Sequence, residues 1–431
     1  MAKVLKVEII QKQIIKPSSP TPPELKSLKL SLLDQFTPIT YTPIILFYPA
    51  SAERSQKLKS SLSETLTLWY PLAGRLKDNS FIECEDQGAE YLEARIKCSL
   101  SEILNKPDVE VLKQFLPAAI ESPEAATGNL LLVQATFFDC GGLAIGVCIS
   151  HKMADAATLT TFIRSWAAMA NGSSELVRPV FMGASMFPPI DMSIPNASVE
   201  LMQRKCITKR FVFNASKITA LRAKVASTTV PKPTRVEAVS ALIWKTVMSV
   251  VRSNSGSLRP SMWAISVDLR KRLTPTLPQN YSGNCVGFIG PRNMEADDNE
   301  LELQSLLGKI RKEMEGFGEN YVKKLQGEGA LLAICEFSKE FGELAMSDHI
   351  DFYVCSSWCK FDLYAADFGW GRPIWASNTS TKVRNVIILM DARDGEGIEA
   401  WLTLSDEDMA LLESNKELLE FAAPNPTVPL S

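Results

Sequence analysis

A chain of 431 residues, 46% hydrophobic and 22% charged, has the composition of a soluble globular protein, and its length suits two or three domains with cores of their own. Lys and Arg total 46 against 49 Asp and Glu, so the net charge is only −3 and no field recruits nucleic acid or an anionic membrane. The longest apolar runs, 128–138 and 140–150, fall short of the roughly 20 residues that span a bilayer, and the start reads as a strand entering a Pro-rich loop, not a signal peptide.

The first half alternates strands and helices. Residues 44–48 (IILFY) form an apolar run fit for a buried strand. Residues 51–70 place Leu58, Leu62, Leu66 and Trp69 at helical spacing, and Pro71 stops the helix. Two β-rich runs, 129–138 and 141–150, flank the turn DCGG and read as a hairpin. A helix follows over 154–169 and ends at Asn171-Gly172. From 183 to 205 the periodicity breaks at Pro188, Pro189 and Pro195, which marks a long connection between domains. The second half opens with a strand at 208–213 and helices at 215–225 and 235–250, and a strand at 263–267 leads into D-L-R-K-R. A hairpin at 385–390 and 397–402 precedes a last helix, for which Ser405 is the expected cap and Asp406, Glu407 and Asp408 complement the dipole. The expected division is 1–185, a crossover loop at 186–207, and 208–431, two α/β layered domains of similar size.

Nine cysteines with no C-x-x-C pair read as reduced thiols of a cytoplasmic enzyme and not as a bridge framework or a zinc site. There are two histidines, His151 and His349, so imidazole chemistry has two candidates. His349, in MSDHIDFY, reads as a surface or loop residue. His151 stands where an apolar strand ends and a helix is about to begin, a position that holds a side chain rigidly and lets it face a cavity. A neutral imidazole there accepts a proton from an alcohol or amine at cellular pH. Asp155 follows four residues later; a satisfied histidine beside a capping aspartate gives the same spacing, so the spacing alone does not decide.

Other chemistries lack parts. There is no G-x-S-x-G nucleophile elbow, no H-E-x-x-H or Cys/His cluster for a metal, no Walker A sequence and no G-x-G-x-x-G. Asp367-Phe368-Gly369-Trp370-Gly371, followed by Arg372-Pro373, reads physically as a rigid turn with a structural role.

His151-Lys152-Met153-Ala154-Asp155 and DFGWG, about 210 residues apart, resemble the two signatures of the plant BAHD acyl-CoA-dependent acyltransferases. The resemblance runs through PSSPTP, LSLLDQ, ILFYP, YPLAGR, VDLRKR, SSWC and LMDARDGEGIEAWL, and so covers essentially the whole chain. It is nearest to the branch of alkaloid and alcohol acetyltransferases. The resemblance implies two chloramphenicol acetyltransferase-like domains of similar size, with mixed sheets and flanking helices, joined by a crossover loop around a solvent channel. It implies acyl-CoA, acetyl-CoA foremost, as co-substrate with no permanent cofactor and no metal. His151 is then the general base for direct attack on the thioester. Asp155 is held by an arginine of VDLRKR, with Arg270 the first choice and Arg272 the second. Asp367, Gly369 and Gly371 support the fold away from the chemistry. Trp358 occupies the position of an oxyanion donor, a role worth about 3 kcal/mol; a core tryptophan is the alternative.

The expected activity is transfer of an acetyl group to a hydroxyl of a specialised metabolite by a cytoplasmic monomer whose partners are small molecules. Amide formation on an amine or polyamine, or a non-catalytic binding protein on the same scaffold, are the alternatives. The acceptor pocket is expected from Phe36 to Tyr41 and around Met153, Phe288 and Ser356, a mixed apolar set that suits a hydrophobic alcohol. Cys148, three residues before His151, is expected on the opposite face of the strand as core filling.

Overall fold

The computed structural model describes residues 5–50, 54–190, 205–256, 259–294, 302–325, 329–347 and 349–430. Most of the expected crossover loop, 191–204 with Pro195, lies outside the described residues, as do 51–53 at the start of the first expected helix.

Two mixed sheets dominate. The first has the order Val7–Ile15, Ala89–Ile96, Leu131–Phe138, Leu143–Ser150, Tyr41–Tyr48, Trp375–Ser377. Its one parallel pairing joins Ala89–Ile96 to Leu131–Phe138. Tyr41–Tyr48 and Leu143–Ser150 are buried along their whole lengths, which explains why they read as continuous apolar runs and not as alternating ones. Helices Arg54–Leu68 and Ala156–Asn171 pack together beside this sheet, and the Trp166 indole N–H donates to Ser61 Oγ (3.0 Å) between them.

The second sheet has the order Val286–Ile289, Ser261–Asp268, Asp351–Ser357, Val386–Asp391, Ile398–Leu404, Ile207–Phe213, Ala423–Pro424, with Arg292–Asn293 also paired to Ser261–Asp268. Helix Arg235–Ser255 opens with a Thr234/Glu237 capping box and ends at Gly256, whose φ of 77° takes the left-handed conformation that glycine tolerates. Ser405 caps helix Asp406–Leu412 by accepting from the Asp408 amide. A third, small sheet joins Ser27–Lys29, Phe81–Glu83 and Arg75–Lys77.

The cut between 1–185 and 208–431 does not follow the sheets everywhere. Trp375–Ser377 completes the first sheet against Tyr41–Tyr48, and Trp375 stacks on Phe47 with ring centroids 5.3 Å apart. Near the C-terminus, the Val428 amide donates to Leu104 O (2.8 Å). In the other direction, Leu32 and Leu33 of helix Leu32–Phe36 join the second core. Each half sends a short arm into its neighbour, and the site below lies on that seam.

Candidate active site

His151 directly follows strand Leu143–Ser150, and its amide donates to Thr40 O (2.8 Å), just before the neighbouring strand Tyr41–Tyr48. The ring Nδ1 lies 3.1 Å from Asn284 Oδ1. Asn284 in turn donates from Nδ2 to His151 O (2.7 Å), so one amide side chain grips both the ring and the backbone of the histidine. His151 keeps part of its surface open, whereas Lys152, Met153, Ala154 and Asp155 behind it are buried. Burial pushes the imidazole pKa below its usual 6.5, against Asp155 and the Asn284 hydrogen bond, which favour the charged form. The ring is therefore neutral at cellular pH.

Asp155 spends its hydrogen bonds on partners other than His151. Its carboxylate caps helix Ala156–Asn171 by accepting from the Thr158 amide (2.9 Å) and takes a two-pronged contact from Arg270, Nη2 to Oδ1 and Nη1 to Oδ2, both at 2.9 Å. The Cys285 amide adds a third donor at 3.0 Å. Burial opposes the charge, but the guanidinium and these amides outweigh it and hold the carboxyl below its ordinary pKa. Arg270 also donates to Thr158 Oγ1, Gly283 O and Asp268 Oδ1, each at 3.0 Å, and lies over the Tyr281 ring. Arg272 is exposed and donates to Asp268 O instead. Helix start, histidine turn and the 281–285 segment are thus locked across the two halves by one ion pair.

The DFGWG loop makes no hydrogen bond or ring contact with His151. Asp367 Oδ1 accepts from the Gly369 (2.8 Å) and Gly371 (2.9 Å) amides, and both glycines take positive φ, 96° and 97°, which other residues resist. Phe368 meets Trp166 edge-on at 4.9 Å and stacks on Trp370 at 5.6 Å, while Arg54 and Lys57 lie over the Trp370 ring. Tyr48 donates to Ala366 O (2.8 Å). The loop is a plug from the second half, pressed onto the two helices of the first.

The Transferase family model matches residues 5–419. Over 98% of this chain and the full length of the relative, the sequence is 38% identical to limonoid 21-O-acetyltransferase of Melia azedarach. It is likewise 38% identical to stemmadenine O-acetyltransferase of Catharanthus roseus, over 95% and 96% of the two chains. The crystal structure of vinorine synthase superposes with a TM-score of 0.85 at 35% identity, covering 98% of this chain and 100% of that one. This chain is a BAHD acyltransferase. F. sporotrichioides TRI101, in complex with coenzyme A and T-2, shares the fold with a TM-score of 0.70 at 18% identity. BAHD enzymes take acyl-CoA and a small-molecule acceptor as substrates.

Within this BAHD fold the remaining candidates divide. Trp358 follows strand Asp351–Ser357; its amide donates to Leu389 O (2.7 Å) and its side chain packs into the first core, with no hydrogen bond or ring contact to His151. Phe288 and Ser356 are brought together: Ser266 pairs with both, so the three stand in one row across the second sheet, and Ile388 extends it beside Ser356. This face is half-buried, while alternate residues such as Ile265, Cys355 and Ile289 are buried on the other. Phe36 is half-buried against the second core. Tyr41 and Met153, also expected at the pocket, lie deeper. They are 1% and 2% exposed, Tyr41 spends its hydroxyl on Asn129 O (3.0 Å), and both are core side chains.

A cavity of about 920 Å³, lined by Arg54, Lys57, Arg95 and Phe138 among others, sits at the opposite end of the first sheet. Phe137 pairs with Leu143, seven residues before Ser150, so this cavity and His151 are at different ends of the same strand. His349 is exposed and its amide donates to Ser347 Oγ (3.1 Å). Cys148 is buried, its thiol pushed up to about 12 by burial, so it is no thiolate nucleophile. All nine cysteines are free. No helix among the described residues is long and apolar enough to cross a membrane.

Sequence reading passed over three members of the site. Asn284 stands in NYSGNCVGF with no local pattern to mark it. Asp34 lies inside LSLLDQ, where its capping box was the available signal. Lys152 reads as an ordinary polar residue but is buried, donates to Gln35 O (2.9 Å), and has its pKa pushed down to about 8 by burial.

Proposed function

We propose that this BAHD acyltransferase moves an acetyl group from acetyl-CoA to a hydroxyl of a hydrophobic specialised metabolite, with His151 as the general base. The carrying observation is the histidine itself: a neutral ring, partly open, anchored through one nitrogen to Asn284 and with the other unspent. That nitrogen takes the acceptor's proton as the oxygen attacks the thioester carbonyl. The tetrahedral oxyanion collapses, the C–S bond breaks, and the leaving thiolate recovers the proton from the imidazolium, giving an ester and free CoA. Trp358 is assigned the oxyanion donor role, supported by its position at the end of the strand that carries Ser356. The half-buried row of Phe288, Ser266, Ser356 and Ile388, with Phe36, is assigned to the acceptor. Its mix of aromatic, aliphatic and hydroxyl groups suits a large apolar alcohol, as the names of the limonoid and alkaloid relatives suggest.

Asp155 and Arg270 support the site, and Asp367, Gly369 and Gly371 support the fold. In this reading the domains are 1–185 and 208–431 around a crossover at 186–207, apart from the arms described above. In this reading the enzyme works as a cytoplasmic monomer, and nine free cysteines support the reducing compartment.

The test is a matrix of acyl-CoAs against alkaloid, terpenoid and simple alcohols and amines, read by mass spectrometry. Ester formation with acetyl-CoA on an apolar alcohol is expected; transfer to amines alone would overturn the reading. Enzyme mixed with acetyl-CoA and no acceptor should show no mass increment, and double-reciprocal plots should intersect. A stable acetyl adduct on any cysteine would replace direct attack by a two-step route.

A further inference from the structure

The LSLLDQ stretch places a buried carboxylate at the site that the transfer step leaves unused. Asp34 is 6% exposed and receives four donors: the Ser31 amide (2.9 Å) and hydroxyl (2.6 Å) on Oδ2, and the Asn284 amide and Nδ2, both at 2.8 Å, on Oδ1. Burial pushes the Asp34 carboxyl pKa above its ordinary value and the Ser31 and Asn284 hydrogen bonds work against that, so the four donors, with no acceptor facing the carboxylate, favour its charged form.

The partners settle which way the Asn284 amide points. Its Nδ2 faces Asp34 Oδ1 and His151 O, two groups that only accept. Turned over, the amide would set its oxygen against a carboxylate oxygen and a carbonyl, with no proton in either contact. Asn284 Oδ1 therefore faces the imidazole, where it accepts from Nδ1–H. The other acceptor near the ring, the histidine's own carbonyl, is already engaged by Asn284 Nδ2.

We propose that Asp34 is a positioning residue which, by fixing the orientation of the Asn284 amide, holds His151 as the Nδ1–H tautomer and keeps Nε2 as the basic nitrogen. The chain of contacts spans the seam: Asp34 and His151 come from the first half and Asn284 from the second. Assembly of the two halves and readiness of the base are thereby one event. This rests on the reading of His151 as the base, and the experiment separates the two.

With two histidines in the chain, ¹⁵N-histidine labelling of the full-length enzyme gives two imidazole spin systems, and His349→Asn assigns them. The wild type is expected to show a protonated Nδ1 and an unprotonated Nε2 on His151 at pH 8. Asp34→Asn replaces one of two acceptor oxygens by a donor, so it cannot satisfy both Ser31 and Asn284. The proton should shift toward Nε2, and kcat should fall at least about tenfold and by no more than the roughly 10²–10⁴ that a general base supplies. KM for acetyl-CoA should stay within about twofold, because no substrate contact is lost. If Asp34→Asn does not fold, Asn284→Ala, which keeps Asp34 and its helix cap, carries the same expectations. An Nε2–H ring in the wild type, or an Nδ1–H ring kept in the variants, would overturn the positioning role. A tautomer shift with unchanged kcat would uphold it and remove His151 as the base.

Discussion

The turn at 151–155 and the loop at 367–371 are each organised by one aspartate, and neither carboxylate touches the other's partners. Asp155 caps helix Ala156–Asn171 and reaches across the seam to Arg270. Asp367 folds back on the amides of its own loop. The turn is held by polar contacts and leaves a histidine ring partly open; the loop is held by aromatic packing on Tyr48 and Trp166. Both grip the same helix, the turn at its first residue and the loop along its side, with Gly369 against Asn171 near its end. The two segments are thus built differently around one helix: the turn leaves an imidazole partly open at its start, and the loop packs aromatic rings along its side.

The comparison breaks hardest at Asp155. Asp155→Asn removes one partner of a buried ion pair, which costs about 3–5 kcal/mol, a large part of the stability of an ordinary domain. Denaturant melts should show that loss, with low soluble yield and lost activity together. Arg270→Leu should do the same; a stable and active Arg270→Leu enzyme would show that the pair does not support the turn.

Gly369→Ala sharpens the contrast. A Cβ there would meet Lys57 Nζ at 2.5 Å, and the φ of 96° is strained for alanine, so about 1–3 kcal/mol of stability should be lost. At Gly371 a Cβ meets open space, and the same substitution should cost about 1–2 kcal/mol from φ alone. In both variants kcat per folded molecule should stay at the wild-type level, measured after the folded fraction is determined by melting. A fall in kcat without a fall in stability would give the loop a chemical role.

The smallest effect is a pH dependence. The base must be neutral, and burial lowers its pKa from 6.5. As pH falls through the folded-state value the ring gains a proton and the rate is lost; above it the rate is flat. The acid limb of kcat/KM should therefore have its midpoint below 6.5, with Asp155 and Lys152 as the nearest charged influences.

Much of this was legible in the chain. The hairpin before His151 was plain because both strands are buried except at Phe137 and so read as largely apolar runs. Asp155 and Arg270 were within reach because each belongs to a compact motif. The second half was harder. Strands Val286–Ile289 and Asp351–Ser357 mix buried and half-buried positions, and helix Ala330–Met346 buries only Ala333 and Ile334, so their patterns are faint. Trp375–Ser377 is a three-residue strand that exists because Phe47 and its neighbours accept it. Asn284 had no local signal at all, since its meaning lies in partners 133 and 250 residues away. The burial of Tyr41 and Met153 was not legible either, because residues around the turn at 151–155 are as apt to fill the core as to face a cavity.

His151→Ala tests the central claim most directly, in single-turnover acetyl transfer with acetyl-CoA affinity and melting measured on the same preparation. The histidine is partly open, so its removal creates no sealed cavity and the melting curve should be unchanged. The transfer step should slow by about 10²–10⁴ while acetyl-CoA still binds. A folded His151→Ala enzyme that transfers at the wild-type rate would contradict the account.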